Sequence, residues 1–321
     1  MAVYTKISKE EVVAFLKTYD VGTFEALHGI KQGVENTNYR LITSQAQYIL
    51  TLYEKRTHRD DLPFFLGLME HVAKKGIPAP LPIRDHEGAM LGELAGRPAA
   101  LISFLSGQMS PRIKTEECFE LGKGLASFHK AASDFPLHRS NSLSLKGWQT
   151  ILDECLSRAD EVEPGLAHKL EKEMNYLNTH WPKGLPFGII HADMFCDNVF
   201  FNGPKLCGII DFYFACEDFL AYDLAICLNA WCFENNKSFN ITKAAALIRG
   251  YNQVKPLTEE ELVALPLLAR GSALRFHLTR LYDWLNQVPG ALVRPKNPIE
   301  YWVRLKFHQG IQDVSAYGLA A

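Results

Sequence analysis

Apolar residues recur along this chain in two rhythms, one sheet-like and one helical, and the balance shifts after Ser106-Gly107. Ser8-Lys-Glu-Glu11 has the spacing of a capping box and opens an apolar-periodic stretch to Tyr19, so a helix is expected there, ending near Gly22. Residues 39–43 and 48–53 read as paired strands around a Ser-Gln-Ala-Gln turn. Residues 62–75 read as a helix closed by Gly76 and Pro78, and residues 81–83, 89–91 and 98–104 as three further strands. The expectation is a small sheet with one inserted helix.

Beyond residue 106 the helical rhythm dominates. Thr115 is placed to cap a helix with Glu116 and Glu117 in its first turn, and Cys118, Leu121, Leu125 and Phe128 follow at helical spacing. Residues 148–181 read as helix broken at Pro164-Gly165. Short apolar runs at 187–190, 199–201 and 206–210, separated by Gly, Asn and Pro, read as strands of one small sheet. From Asp223 onward the pattern is mostly helical, with a second capping box at Thr258-Glu-Glu-Glu261. Repeats, low-complexity tracts and long linkers are absent from the sequence.

Composition narrows the classes. The 321 residues are 47% hydrophobic and 22% charged, ordinary for a globular chain. A formal net charge of −2 gives no bulk attraction to nucleic acid or an anionic membrane. The first ten residues lack the apolar run of a secretory signal, and no apolar run approaches the ~18 residues of a spanning helix. Seven dispersed cysteines without a CxxC pair suggest reduced thiols in a cytoplasmic protein, and Cys196 reads as a packing residue.

The chemistry lies in His191-Ala-Asp-Met-Phe-Cys-Asp-Asn198 and the following Gly208-Ile-Ile-Asp211-Phe212. Phosphoryl transfer to a hydroxyl needs a carboxylate facing that hydroxyl and oxygen ligands for Mg²⁺ on the nucleotide. The kinase catalytic loop has this order and spacing of His, Asp and Asn, followed by a metal-binding Asp. Asp193 suits the first need, and Asn198 with Asp211 the second, because Mg²⁺ prefers hard oxygen donors and takes few from the protein. A carboxylate of pKa about 4 is too weak to strip a ground-state alcohol, so Asp193 is read as orienting the hydroxyl and accepting its proton late. His191 is placed in the catalytic set, with holding the loop backbone as its main role. A chance HxD and a common Asp-Asn turn pair are the competing reading.

These residues, together with Gly33-Val-Glu-Asn-Thr-Asn-Tyr-Arg40, Tyr48-Ile-Leu-Thr-Leu-Tyr-Glu54, Leu62-Pro-Phe-Phe-Leu-Gly-Leu-Met69, Ile210-Asp-Phe-Tyr-Phe214, Tyr222-Asp-Leu-Ala225 and Leu274-Arg-Phe-His-Leu-Thr-Arg-Leu-Tyr-Asp-Trp284, make the chain resemble the aminoglycoside phosphotransferase and choline kinase superfamily. Within it the segments are most similar to the bacterial homoserine kinases of the kinase-like type. The resemblance implies an α+β, protein-kinase-like fold with a small antiparallel-sheet N-lobe (1–105, nucleotide-binding) and a mostly helical C-lobe (106–321, catalytic loop and acceptor site), hinged near 103–107. It implies ATP and Mg²⁺ as cofactors, L-homoserine as the small-molecule acceptor and a place in threonine biosynthesis. It implies no nucleic-acid or membrane partner and carries no oligomeric state.

The resemblance also locates a nucleotide site, and there the chain departs from pattern. Gly33 and Asn36 sit where a phosphate-covering turn is expected, and Ser103, Phe104 and Leu105 where hinge backbone meets adenine; Gly29-Ile-Lys-Gln-Gly33 is not GxGxxG, and a plain hairpin turn is the alternative. Kinases pair a strand Lys with a helix Glu. Here Thr51 and Phe65 occupy those places, leaving Lys55 or Arg56 to supply the charge.

For the acceptor, Arg275, Thr279 and Asp283 share one helical face at i, i+4 and i+8, while Arg280 sits about 140° from Arg275. An Arg fork matches a carboxylate and Asp283 an ammonium group, which suits an amino acid. On the other reading Arg280 and Asp283 are a surface pair and Arg275 ties the lobe together. Asp223 is read as a brace for the catalytic loop, and Glu217 and Asp218 as further candidates for a substrate amine. Other functions stay open here: a choline kinase, for which Trp231, Phe233 and Trp284 are possible cage residues, an aminoglycoside or methylthioribose kinase, or a nucleotide-binding protein without turnover.

Overall fold

The computed structural model describes residues 5–30, 36–54, 58–235, 237–287 and 295–319. α1 (Lys9–Leu16) starts as expected: Glu11 N–H donates to Ser8 Oγ and Ser8 N–H to the Glu11 carboxylate. The strands β1 (Phe24–Gly29), β2 (Thr37–Thr43) and β3 (Gln47–Leu52) precede α2 (Leu62–Lys74), and β4 (Gly92–Leu94) and β5 (Arg97–Ser103) complete an antiparallel sheet of order β1-β2-β3-β5-β4. Two expected strands are not formed. Pro82 makes only an isolated bridge to Ile102, having no N–H to extend a ladder. Residues 89–91 follow a turn in which the Asp85 carboxylate accepts the N–H of Glu87 and of Ala89, so the edge strand begins at Gly92.

Side chains alternate across β3 and β5 and so feed two cores. Leu50, Leu52, Ala99 and Leu101 pack with Val12 and Leu16 of α1. Ala100, Ile102 and Tyr53 face the other way and join Phe64, Phe65 and Met69 of α2 in the large core of the helical part. By packing, α2 is shared between the sheet and the rest of the molecule.

The helical part runs α3 (Thr115–Ala132), α4 (Leu145–Cys155), α5 (Leu166–His180), β6 (Phe187–Ile190), β7 (Val199–Asn202), β8 (Lys205–Ile209), β9 (Cys216–Phe219), α6 (Leu220–Trp231), α7 (Ile241–Val254), α8 (Glu259–Leu285) and α9 (Ile299–Gln309). Lys114 rather than Thr115 is the residue before α3, its N–H taken by the Glu117 carboxylate at 2.8 Å. The break between α4 and α5 ends at Gly165, with φ +73°. The single small sheet expected around the catalytic loop is instead two ribbons, β6–β9 and β7–β8, because β6 pairs with β9 and not with the hairpin. α3 and α7 cross so closely that a Cβ on Gly122 would lie 2.0 Å from Leu247 O, and one on Gly250 2.0 Å from Phe119 O. No described helix is long and apolar enough to cross a membrane.

α9 is docked by buried imidazoles. His308 bridges Tyr317 Oη (2.8 Å) and Asn229 Oδ1 (3.2 Å), and His277 donates to Pro298 O (2.9 Å). Burial lowers His277 to about 4 and His308 to about 3. A depressed histidine pKa means that the unfolded chain binds protons the native state refuses. This contribution to stability is therefore whole above the unfolded value near 6.5 and is lost as pH falls toward 4. Urea midpoints should drop between pH 7.5 and pH 5.0 by an amount equivalent to roughly 2 kcal/mol per histidine. Equal midpoints at the two pH values would show that these imidazoles accept protons in the folded state.

Candidate active site

The segment 191–198 leaves β6 and enters β7 through an irregular loop held by two internal backbone turns and by many side-chain bonds. His191 is fully buried. Its Nε2 meets Ile210 O at 3.0 Å, and its Nδ1 accepts the N–H of Asp193 at 3.3 Å. That pattern requires the neutral Nε2–H tautomer. Burial lowers the His191 pKa, against the opposing pull of Asp223. His191 thus ties the loop to the residue before Asp211, and both ring nitrogens are engaged by backbone.

The next residue, Ala192, lies in the left-handed region at φ +62°. Its peptide groups are gripped on both sides. The Asp223 carboxylate accepts the N–H of His191 (2.7 Å) and of Ala192 (2.9 Å), and also meets His129 Nε2 at 3.1 Å. Arg275 Nη1 donates to Ala192 O at 2.8 Å. Burial would raise the Asp223 pKa, but His129, His191 and the loop N–H outweigh it and hold the carboxyl below its ordinary value. Met194 O accepts the indole N–H of Trp231 at 2.8 Å.

This bracing places the three polar residues singled out in the sequence. Asn198 Nδ2 donates to Asp193 O (2.8 Å) and to Asp193 Oδ2 (3.0 Å), which directs its amide oxygen away from Asp193. Val199 pairs with Ile209 across the hairpin, and Ile210 N–H donates to Asn198 O at 3.0 Å, bringing Asp211 beside Asn198. Asp211 itself has φ +66°, a turn that separates its side chain from the strand direction. One carboxylate and one amide oxygen on adjacent backbone suit a hard cation that draws its other ligands from phosphate and water.

The nucleotide candidates fare unequally. Gly33 and Lys55, with Arg56, lie outside the described residues. Asn36 is 3% exposed and its Oδ1 accepts Glu54 N–H at 3.2 Å, closing the base of the β2–β3 hairpin. At the hinge, Ser103 N–H donates to Leu81 O and Phe104 N–H to Gln47 O, so the amide of Leu105 is the one not spent on these bonds. Thr51 is buried and donates to Asn38 Oδ1 at 2.8 Å, and Phe65 is in the core. The Lys–Glu pair of protein kinases has no counterpart at these two positions.

The acceptor candidates separate. Arg275 is only 2% exposed, in a stretch of α8 buried all round, and serves the loop at Ala192. That is the lobe-tying reading and removes it from direct contact with a substrate in this conformation. Arg280 pairs with Glu300 at 2.7 Å, not with Asp283, because α9 supplies the closer carboxylate. Arg304 shares Glu300, and both guanidinia stack on Tyr301, at 4.4 and 4.3 Å. Asp283 is half-buried one turn from Arg280. Glu217 is engaged by His138 (2.8 Å) and Asp218 by Asn141 (2.6 Å). Glu300 and Arg304 were not anticipated; their i, i+4 spacing is legible, but only tertiary structure joins them to Arg280.

Residues 26–257 match the phosphotransferase enzyme family. Among curated relatives, the homoserine kinase of Chelativorans sp. (strain BNC1) is 58% identical over 319 residues, covering 99% of each chain. That of Xanthobacter autotrophicus is 56% identical over 321 residues, covering 100% of each. Among solved structures, amicoumacin kinase hAmiN in complex with AMP-PNP, Ca²⁺ and Ami superposes with a TM-score of 0.70 at 14% identity over 94% of each chain. Choline kinase from Cryptosporidium parvum gives 0.68 at 14% identity, also over 94% of each. The chain belongs to the phosphotransferase enzyme family, has the expected α+β kinase-like fold, and is a phosphotransferase acting on a hydroxyl acceptor.

Replacing Asp223 tests the bracing. Asp223→Ala leaves the N–H groups of His191 and Ala192 buried without their acceptor, which should cost about 1–3 kcal/mol for each. The folded fraction should lose roughly 10²-fold in kcat as the loop shifts. Asp223→Asn retains one acceptor oxygen and should fall between. A parent-like kcat and urea midpoint in Asp223→Ala would refute the assignment.

Proposed function

We propose that this chain phosphorylates the side-chain hydroxyl of L-homoserine with ATP, giving ADP and O-phospho-L-homoserine, an intermediate on the way to threonine. The loop that sets Asp193 against Asn198, with Asp211 carried beside Asn198 by the hairpin, is the observation that supports the chemistry. The full-length homoserine kinase relatives support the acceptor. The hydroxyl oxygen forms a bond to the γ-phosphorus as the bond from phosphorus to the ADP oxygen breaks, and Asp193 takes the hydroxyl proton late in that step. Asn198 and Asp211 are the residues that would hold Mg²⁺. When bound, the ion offsets negative charge on the phosphates. We read residues 1–105 as the nucleotide lobe and 106–321 as the catalytic and acceptor lobe.

For the acceptor carboxylate we propose Arg280. Two guanidinia share the single Glu300 carboxylate, so the cluster retains net positive charge. Burial raises the Glu300 pKa, but Arg280 and Arg304 outweigh it and keep the group ionised. Asp283 is our candidate for the ammonium end. A choline-type cage is disfavoured, since Trp231 is fully buried with its indole bound to the loop, Phe233 packs against Phe239 and Phe307, and Trp284 lies partly exposed.

Asp193→Ala should leave Mg·ATP binding nearly intact and lower kcat by about 10²–10⁴-fold; turnover close to the parent's excludes Asp193 as proton acceptor. Arg280→Ala should raise the homoserine KM more than about tenfold, the worth of a charge-assisted contact, with little change in the ATP KM. Arg275→Ala should instead lower kcat. The carboxamide of homoserine should be a poor substrate for the parent. If it is used as well as the acid, or if choline is preferred, the amino-acid reading is wrong.

A further inference from the structure

The strand and helix positions that carry the Lys–Glu pair in protein kinases are here Thr51 and Phe65, yet the structure still bridges the same two elements to the metal-site Asp. Tyr53 follows Thr51 by two residues, on the same side of the sheet, and is almost fully buried at 2% exposure. Its hydroxyl meets that of Tyr213 at 3.2 Å, with the rings 5.5 Å apart and nearly perpendicular at 81°. Phe65 of α2 also meets the Tyr213 ring edge-on, at 5.7 Å and 89°. Tyr213 is therefore clasped by both elements of the N-terminal sheet region.

Tyr213 stands two residues after Asp211, in a single tight turn. Between them Phe212 packs on His191 of the loop at 4.9 Å and on Phe128 of α3 at 6.0 Å. Successive side chains thus anchor this short turn to different elements, Phe212 to α3 and the loop and Tyr213 to Tyr53 and α2, with Asp211 at its start. Arg139 reinforces the clasp. Its guanidinium lies 4.9 Å from the Phe65 ring centre and donates to Asp61 Oδ2 (2.9 Å) and to Ala215 O (3.2 Å), strapping the N-terminal end of α2 to the far end of the turn.

We propose that Tyr53, Phe65 and Tyr213 form an uncharged strut that aligns Asp211 with the nucleotide-binding sheet, replacing the Lys–Glu pair in its alignment role though not in its contact with phosphate. The three are positioning residues acting through Asp211, and the proposal rests on Asp211 as a Mg²⁺ ligand. Loss of one hydroxyl of the pair should loosen Asp211 while the rings continue to pack.

The test is a set of phenylalanine substitutions, with Asp211→Asn as reference. Mg²⁺ is titrated into protein with ATP and no acceptor, and the rise in melting temperature is followed; steady-state kinetics with homoserine are measured alongside. Tyr53→Phe and Tyr213→Phe should each raise the half-saturating Mg²⁺ roughly fivefold, as expected for one neutral hydrogen bond. Their apo melting temperatures should fall by no more than a few degrees, the cost of one neutral hydrogen bond, and their homoserine KM should remain close to the parent's. The double variant should be no worse than either single, because the hydroxyls act on each other. Phe65→Leu, which removes the ring edge, should also raise the Mg²⁺ requirement. Parent-like Mg²⁺ curves in both tyrosine variants, additive losses in the double, or a lowered melting temperature with an unchanged curve would each overturn the strut. An unchanged curve in Asp211→Asn would overturn the metal assignment beneath it, and the strut with it. Retained Mg·ATP response with no turnover on homoserine would instead count against the acceptor alone.

Discussion

Everything at the catalytic loop depends on the buried carboxylate of Asp223. A left-handed alanine costs about 1–2 kcal/mol relative to ordinary backbone, and it persists only where its surroundings over-determine it. Asp223 does this by accepting two consecutive N–H groups, while Arg275 draws the Ala192 carbonyl from the other side. An ionised carboxylate in the interior carries a desolvation penalty of several kcal/mol, so it is tolerated only with such a full set of donors. The expense is justified by geometry: with Ala192 turned, Asp193 is half-buried between the buried Ala192 and Met194 and is set against Asn198.

The brace reaches back into the helical scaffold. His129 sits on α3 and Tyr251 on α7, and their bond of 2.9 Å exists because the two helices approach to glycine distance at Gly122 and Gly250. Tyr251, His129 and Asp223 make a continuous hydrogen-bonded line from helix packing to loop backbone. A methyl group at either glycine would separate the helices, and overpacking of that kind typically costs 1–3 kcal/mol. Small residues on α3 and α7 therefore bear on the catalytic loop although neither touches it.

Much of this was legible in the sequence, for identifiable reasons. The capping boxes at Ser8 and Thr258, the β2–β3 hairpin and α2 depend on local bonds and periodicity, which travel with the sequence. The convergence of Asp193, Asn198 and Asp211 was legible because a loop, a hairpin and a short return allow little else. What failed was non-local. Residues 89–91 were lost to an Asx-type turn at Asp85, and the pairing of β6 with β9 rather than with its neighbours cannot be read from runs of apolar residues. The spacing of Arg275 and Asp283 suits an amino-acid acceptor as well as a tie within the lobe, and the partner that favours the tie, the Ala192 carbonyl, is 83 residues away. The alternative surface pair of Arg280 with Asp283 failed for the same reason, since Glu300 arrives from α9, 20 residues on.

With Thr51 and Phe65 at the positions of the Lys–Glu pair, the N-terminal sheet region and the helical part are held together differently. A partly exposed ion pair weakens with ionic strength and needs both charges present. An edge-to-face aromatic clasp with one neutral hydrogen bond does neither, and its geometry is set by ring contact. On the reading proposed above, charge near the phosphates would come from the Mg²⁺ that Asn198 and Asp211 would hold. Alignment and charge neutralisation, combined in one pair in protein kinases, would then be divided between apolar packing and that ion. On that division, salt should affect nucleotide and acceptor affinity through the charged groups, while the position of Asp211 stays fixed by Tyr213 and Phe212, neither of which carries charge.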